Sequence, residues 1–159
     1  MPRGTSVRRR ASFAAVSAFA SLALAGATTL AGAPAGHFVV GTGAAAGTVA
    51  DTATKLTWQR TASATTYTWS NSKSVCAGLS LNGTGWRQPT MAELSTLVDF
   101  RANAAPFTDT TAFPGTPSAL FWSATAMTGS TTQAWAVDFS NGSGNTNDAT
   151  KAGYVRCVR

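Results

Sequence analysis

The sequence is poor in charge and almost without the side chains on which most enzymes and metal sites depend. Among 159 residues there are one histidine, two cysteines and six carboxylates, and charged residues make up 11%. The single histidine, His37, lies far upstream of the part that reads as folded. A Ser-His-Asp or Cys-His mechanism therefore has no base. Two cysteines and that histidine fall short of the four ligands of a structural zinc site. Low charge with 44% hydrophobic residues excludes a charge-rich disordered tail and a coiled coil. The formal charge of +6 does not make a nucleic-acid surface, because Arg3, Arg8, Arg9 and Arg10 supply four of the twelve cations. The remainder carries only +2, too little to track phosphates. No internal repeat is visible.

What is present begins with a leader. After Arg10 there is no formal charge until Asp51, and residues 13–25 read FAAVSAFASLALA. Small residues follow, with A-x-A cleavage candidates at 25–27, 31–33 and 33–35. A basic start, an apolar run and a small-residue cleavage region are the layout of a secretory signal peptide, expected over residues 1–35. The apolar run is short for a span of about 20 residues, so no stable membrane insertion is expected after cleavage. Leu30-Ala31-Gly32-Ala33 has Ala where a lipidated Cys would stand, which excludes a lipid anchor of that kind. In an exported chain Cys76 and Cys157 read as one disulfide, with two separate buried thiols as the alternative.

Residues 36–47 are Gly/Ala-rich and read as a flexible lead-in; the folded domain is expected over 48–159. Val49, Leu56 and Trp58 fit strands. Trp69, Ser72, Cys76 and Leu79 fall at helical spacing, predicting a helix over 69–81. Thr90 with Glu93 forms a capping box behind Pro89, predicting a second helix over 91–101. Residues 102–120 hold three prolines and no periodicity, and read as a long ordered loop. Strands follow at 121–125 and 135–139, where Trp135, Val137 and Phe139 alternate with smaller or polar residues. Asn141-Gly142 signals a turn. Residues 143–151 read as a polar loop and 154–158 as a closing strand. This order is an α+β domain.

Several segments together resemble one family. Asp51-x-x-Thr54-x-Leu56-Thr57-Trp58-Gln59-Arg60 is similar to its opening strand, and Trp69 through Cys76-x-x-Leu79 to its first helix. Trp86-Arg87-x-Pro89-Thr90-x-x-Glu93-Leu94 matches its most diagnostic segment. Phe113-Pro114, Phe121-Trp122-Ser123-x-Thr125, Trp135-x-Val137-x-Phe139 and Val155-Arg156-Cys157-Val158-Arg159 complete the likeness, which covers about residues 48–159. The family is the Lcl C-terminal domain family of exported bacterial proteins. Gln88 stands where the family usually has Leu, and Lys55 where it usually has Gly. The resemblance implies a C-type-lectin-like fold, with two helices packed on a small twisted antiparallel sheet with long loops. It also implies a disulfide from the first helix to the last strand, Cys76 to Cys157. Family members implicated in adhesion and in binding sulfated polysaccharides suggest a binding role.

The chemistry legible in the residues is that of a non-catalytic module without cofactor or metal. Of the six carboxylates, Glu93 has a capping role, and Asp51 and Asp109 sit where turns are expected, leaving no clear acid pair for a glycosidase. Both cysteines are committed to the staple, which removes the reactive thiols that formylglycine generation needs. Asn145-Thr146-Asn147-Asp148 is the one cluster with calcium-type oxygens, and it reads as a solvated loop. Of five tryptophans, Trp58, Trp69, Trp86 and Trp135 read as core, whereas Trp122 flanks the long loop. Lys151, Arg156 and Arg159 are either partners for sulfate or carboxylate groups or solvated strand positions.

The expected ligand face is the pair of loops 102–120 and 140–152, left free by helices covering the other side of the sheet. Trp122 and Tyr154 would supply stacking faces, and Asn145, Asn147, Asp148 and Lys151 hydrogen bonds and charge. The expected partner is a polysaccharide or a surface protein. A structural or assembly protein of the envelope, or a diversified display protein, is the alternative. The oligomeric state is not legible.

Overall fold

The computed structural model describes Met1 and residues 36–159. The expected signal peptide lies outside the described residues. The described residues form two small antiparallel sheets, two short α-helices and one 3-10 turn (Gly43–Ala45), an α+β architecture. The first sheet has the order β1 (Phe38–Val40), β2 (Thr48–Asp51), β3 (Thr57–Gln59). The second has the order β4 (Leu120–Ala126), β5 (Gln133–Asp138), β6 (Ser143–Asp148). Between them lie α1 (Trp69–Ala77) and α2 (Met91–Ser95).

The Gly/Ala-rich stretch is not a free lead-in. Phe38, Val39 and Val40 pair with Asp51, Ala50 and Val49, and the Phe38 ring packs edge-on against Phe113 at 5.0 Å. Composition suggested flexibility, but a two-sided partner on β2 and an apolar neighbour recruit the segment. Both helices are shorter than their periodicity predicts. α1 stops where Gly78 follows Ala77. α2 makes one turn and then tightens: the N–H groups of Leu97 and Val98 donate to the carbonyls three residues back, at Leu94 and Ser95, and the Thr96 hydroxyl takes the Glu93 carbonyl. Such i to i−3 bonds end a helix rather than extend it.

The start of α2 is as the sequence predicts. The Thr90 hydroxyl accepts from the Glu93 N–H, and the Glu93 carboxylate accepts from the Thr90 N–H. Arg87 adds a two-pronged ion pair to Glu93 at 2.8 and 2.7 Å. Lys55, in place of the family's usual Gly, takes a left-handed conformation with φ 64°, which side chains other than Gly adopt at a cost.

The two helices lie on opposite faces of the second sheet rather than together on one. Cross-strand partners share a face and neighbours in a strand alternate. Phe121, Val137 and Gly144 share one face. Phe121 and Val137 join Leu94 and Leu97 in the main core, and a side chain on Gly144 would collide with Met91 of α2. Trp122 and Ala136 share the other face, where they and Ala134 form a cluster against which Trp69 of α1 packs. β5 is therefore covered on both sides: Ala134, Ala136 and Val137 are all buried. Trp135, expected in the core, is only half-buried.

Residues 143–148, expected as a loop, form a full strand in unbroken register with β5. Their polar alternation offers no apolar face, so the signal lay in the partner and in the Asn141-Gly142 turn, where Gly142 has φ 73°. The closing segment is extended, but it pairs through isolated bridges to both sheets rather than along one. Tyr154 bridges Phe121, and Val158 bridges both Trp58 and Arg87. Gly153 is needed at the crossing, since a Cβ there would sit 2.8 Å from the Trp122 indole nitrogen.

Cys76 and Cys157 are joined, α1 to the closing segment, across 81 residues. Loop-closure entropy for a loop of that order is worth about 4–5 kcal/mol. Replacing both cysteines by Ser is expected to lower the unfolding free energy by about 2–5 kcal/mol, as read from urea melts. Unchanged melts would mean that noncovalent contacts alone hold α1 to the closing segment.

Glu93 is held at about 2, below its ordinary 4.5, chiefly by the Arg87 hydrogen bonds. A depressed carboxylate stabilises the fold above its unfolded value and loses that contribution as pH falls. The melting-temperature gap between wild type and Glu93→Gln should therefore shrink from pH 4.5 to about 2. Thr90→Ala should cost about 1 kcal/mol.

Candidate functional site

A groove of about 440 Å³ opens where three segments meet. The first turn of α1 contributes Thr68, Trp69 and Ser70. The β4–β5 turn contributes Thr131 and Thr132, and the end of β6 contributes Asp148, Ala149 and Thr150. Backbone bonds fix all three walls: the Trp69 N–H donates to the Ala149 carbonyl, and the Ala149 N–H donates to the Thr132 carbonyl. The indole of Trp69 is anchored below by a bond to the Ser123 carbonyl at 2.8 Å. Its ring already carries the Lys73 ammonium at 3.7 Å, a cation–π contact.

Five residues of the wall carry hydroxyls. Thr68 and Ser70 are 3.3 Å apart, and Thr68 does not cap its own helix. Asp148 is the one ionisable group in the lining. Its Oδ1 accepts from the Thr150 N–H at 2.9 Å and hydroxyl at 2.7 Å. These bonds hold the carboxyl below its ordinary value, the backbone bond contributing most, so it is a carboxylate at neutral pH. Carboxylate oxygens accept only, and the bonds from Thr150 leave Oδ2 for a ligand's O–H or N–H donors.

Asp148 is the one expected ligand residue in the groove lining. Asn147 and Asn145 precede it on β6, on the same sheet face as Ala134 and Ala136. Alternation puts Thr146 and Asp148 on the opposite face, so the four residues 145–148 do not converge as cation ligands. Lys151 is exposed beside the groove, and its N–H donates to the Asp148 carbonyl.

Trp122 corrects the expectation of a stacking face: it is 0% exposed, and its indole donates to the Tyr67 carbonyl. It was pulled inward because the face it shares with the small Ala134 and Ala136 leaves room for an indole. Tyr154 is half-buried with its ring 5.6 Å from Phe121. The 102–120 loop does not line the groove; it turns Ala112, Phe113, Thr108 and Thr116 inward.

Sequence reasoning missed Thr68, Ser70, Thr131 and Thr132. The available signal was the clustering of hydroxyls at 65–70 and 128–132, which nothing in the sequence brings together.

Of the cations expected to be open to anions, Arg156 is completely buried. Its Nη2 donates to Thr116 Oγ1 at 2.8 Å, and its guanidinium lies 4.6 Å from the Phe113 ring and 5.6 Å from Phe121. No carboxylate pairs with it among the described residues. Burial alone pulls it down to about 9. Arg159 covers the ring of Trp86 at 4.9 Å and donates to the Asn82 carbonyl.

Each of the six carboxylates accepts a nearby backbone N–H: Asp51 from Ala53 and Thr54, Glu93 from Thr90, and Asp99 from Arg101. Asp109 accepts from Thr111 and Ala112, Asp138 from Ser140, and Asp148 from Thr150. Gln88, the second departure from the family pattern, is buried and donates to the Ser72 hydroxyl at 2.8 Å. It ties the approach to α2 to α1 where an apolar contact would otherwise stand.

The family model of the Lcl C-terminal domain matches residues 47–159. The chain belongs to the Lcl C-terminal domain family. That match takes in both helices, five of the six strands and the whole groove; β1 precedes it. A search of curated proteins finds no match.

Burying an unpaired guanidinium is costly, and apolar replacements of similar volume are often neutral or stabilising. Arg156→Met is therefore expected to match or exceed wild type in urea melts, by up to about 4 kcal/mol. Arg156→Ala should fall about 2–5 kcal/mol below Arg156→Met because it leaves a cavity. A strong loss in Arg156→Met would assign the guanidinium a net stabilising role.

Proposed function

We propose that this chain is an exported, non-catalytic binding module with a C-type-lectin-like fold, and that its groove holds a carbohydrate on a polysaccharide or another surface ligand. The observation that carries the reading is the groove wall, built from five hydroxyls, one carboxylate and one indole on three rigidly connected segments. Small-molecule sites are concave and orient their ligands with a few convergent polar groups. The hydroxyls and the carboxylate of the wall can exchange hydrogen bonds with sugar hydroxyls. The non-catalytic part rests on the carboxylates, each of which is engaged with local backbone N–H groups. Export is supported by the family, and by a disulfide of the kind that persists in oxidising compartments.

The test is binding of the purified domain to a glycan array and to bacterial surfaces, beside Ser70→Tyr. Ser70 is exposed at the groove rim, so a tyrosine there should fill the groove without unfolding the domain. At least a tenfold loss of binding at unchanged melting temperature is expected. Undiminished binding would move the site elsewhere. Absence of binding by the wild type would favour a structural role in the envelope.

A further inference from the structure

We infer that the half-buried Trp135 is a stacking platform for a pyranose ring, on the α2 side of the second sheet and outside the groove lining. The inference rests on the carbohydrate reading proposed above and adds a second contact point to it.

Trp135 is the one tryptophan that the fold leaves unengaged. Of the five, Trp58, Trp86 and Trp122 belong to apolar clusters, and Trp69 packs against one. Trp135 joins none of these clusters. The indole N–H groups of Trp69, Trp86 and Trp122 donate to backbone carbonyls, and that of Trp58 is buried. The Trp135 N–H has no partner among the described residues and is not buried. Lys73 and Arg159 lie over the rings of Trp69 and Trp86. No cation or aromatic ring of the described residues lies over Trp135.

A single half-open aromatic is ordinary on a protein surface; its surroundings decide what it can hold. Val137 is buried against the core that α2 helps to form, and Gly144 lies against Met91. Trp135 stands two residues further along the same face, directly opposite Thr146 of β6. Gln133 and Asp148 are the next opposed pair on that face. Directly opposed side chains are about 5 Å apart, and alternate ones along a strand about 6–7 Å. Three polar side chains therefore flank the indole. The Gln133 amide and the Thr146 hydroxyl have no partner among the described residues, and Asp148 keeps Oδ2. β6 is the outer strand of its sheet, so this side of the face is open.

This combination fits a sugar ring. An aromatic face carries partial negative charge, which attracts the C–H groups on the flat side of a pyranose. The hydroxyls around the rim of that ring can then bond the Gln133 amide, which donates and accepts, the Thr146 hydroxyl and the accepting Asp148 carboxylate. A protein hot spot instead gathers apolar side chains around its tryptophan and desolvates them, and the register neighbours of Trp135 are polar.

The probes are arrayed pyranose hexasaccharides, neutral and sulfated, with affinities of the hits measured by calorimetry. Trp135→Ala should weaken each hit about tenfold or more, the scale of losing one stacked ring. Trp135→Phe keeps a smaller ring and should recover most of that loss. Gln133→Ala should weaken binding about two- to tenfold, the range for one hydrogen bond. Melting temperature and disulfide content check that each variant is folded. In the wild type, the Trp135 indole N–H resonance, assigned by its loss in Trp135→Phe, should shift as a hit is titrated in, whether or not Trp135→Ala folds. Binding that Ser70→Tyr abolishes but Trp135→Ala leaves unchanged, or an indole resonance that stays still at saturation, would overturn the platform and keep the groove as the carbohydrate site. Silence of the whole array overturns the platform and the carbohydrate reading together.

Discussion

The closing segment is bonded to both sheets at once, and the remaining structure is arranged around that seam. Tyr154 exchanges backbone bonds with Leu120 and Trp122 of β4, while Thr57 and Gln59 of β3 bond to Arg159 and Cys157. Val158 also exchanges two bonds with Arg87, which leads into the capping box of α2. The same few residues carry the disulfide to α1. Each small sheet has only three strands, and a sheet of that size needs an apolar face packed against something else to be stable. Joined by the seam, they share the apolar cluster that runs from Val49 and Trp58 to Phe121 and Phe139.

The seam also positions the groove. Tyr67 and Gly153 bond reciprocally just before α1, which sets the height at which Thr68, Trp69 and Ser70 meet the end of β6. Trp122 lies beneath, bonded to the same Tyr67 carbonyl region. The tryptophan that looked suited to ligand stacking is thus a floor support. Its burial holds apart the segments whose hydroxyls form the wall. Arg156 occupies the opposite side of the seam, where aromatic rings and a hydroxyl take the place of a counter-ion. Among the described residues the carboxylates are engaged with local backbone N–H groups, and Lys73, Arg156 and Arg159 with aromatic rings.

Features that depend on neighbours in sequence were legible without a structure. The Thr90–Glu93 box, the Asn141-Gly142 turn and the turn positions of Asp51 and Asp109 each close within a few residues, so the side chain and its backbone partner are written side by side. The resemblance implied the pairing of Cys76 with Cys157. Features that depend on partners far along the chain were decided only by the tertiary structure. β6 is a strand because β5 offers it a ladder, although its own residues are polar. Phe38 joins a sheet because Phe113, distant in sequence, covers it. Trp122 and Arg156 are buried, and the hydroxyls at 68–70, 131–132 and 150 meet, because register and helix placement bring them there. A side chain's chemistry is fixed by its identity, but its exposure is set by whatever packs against it, and for these residues that contact comes from segments dozens of residues away.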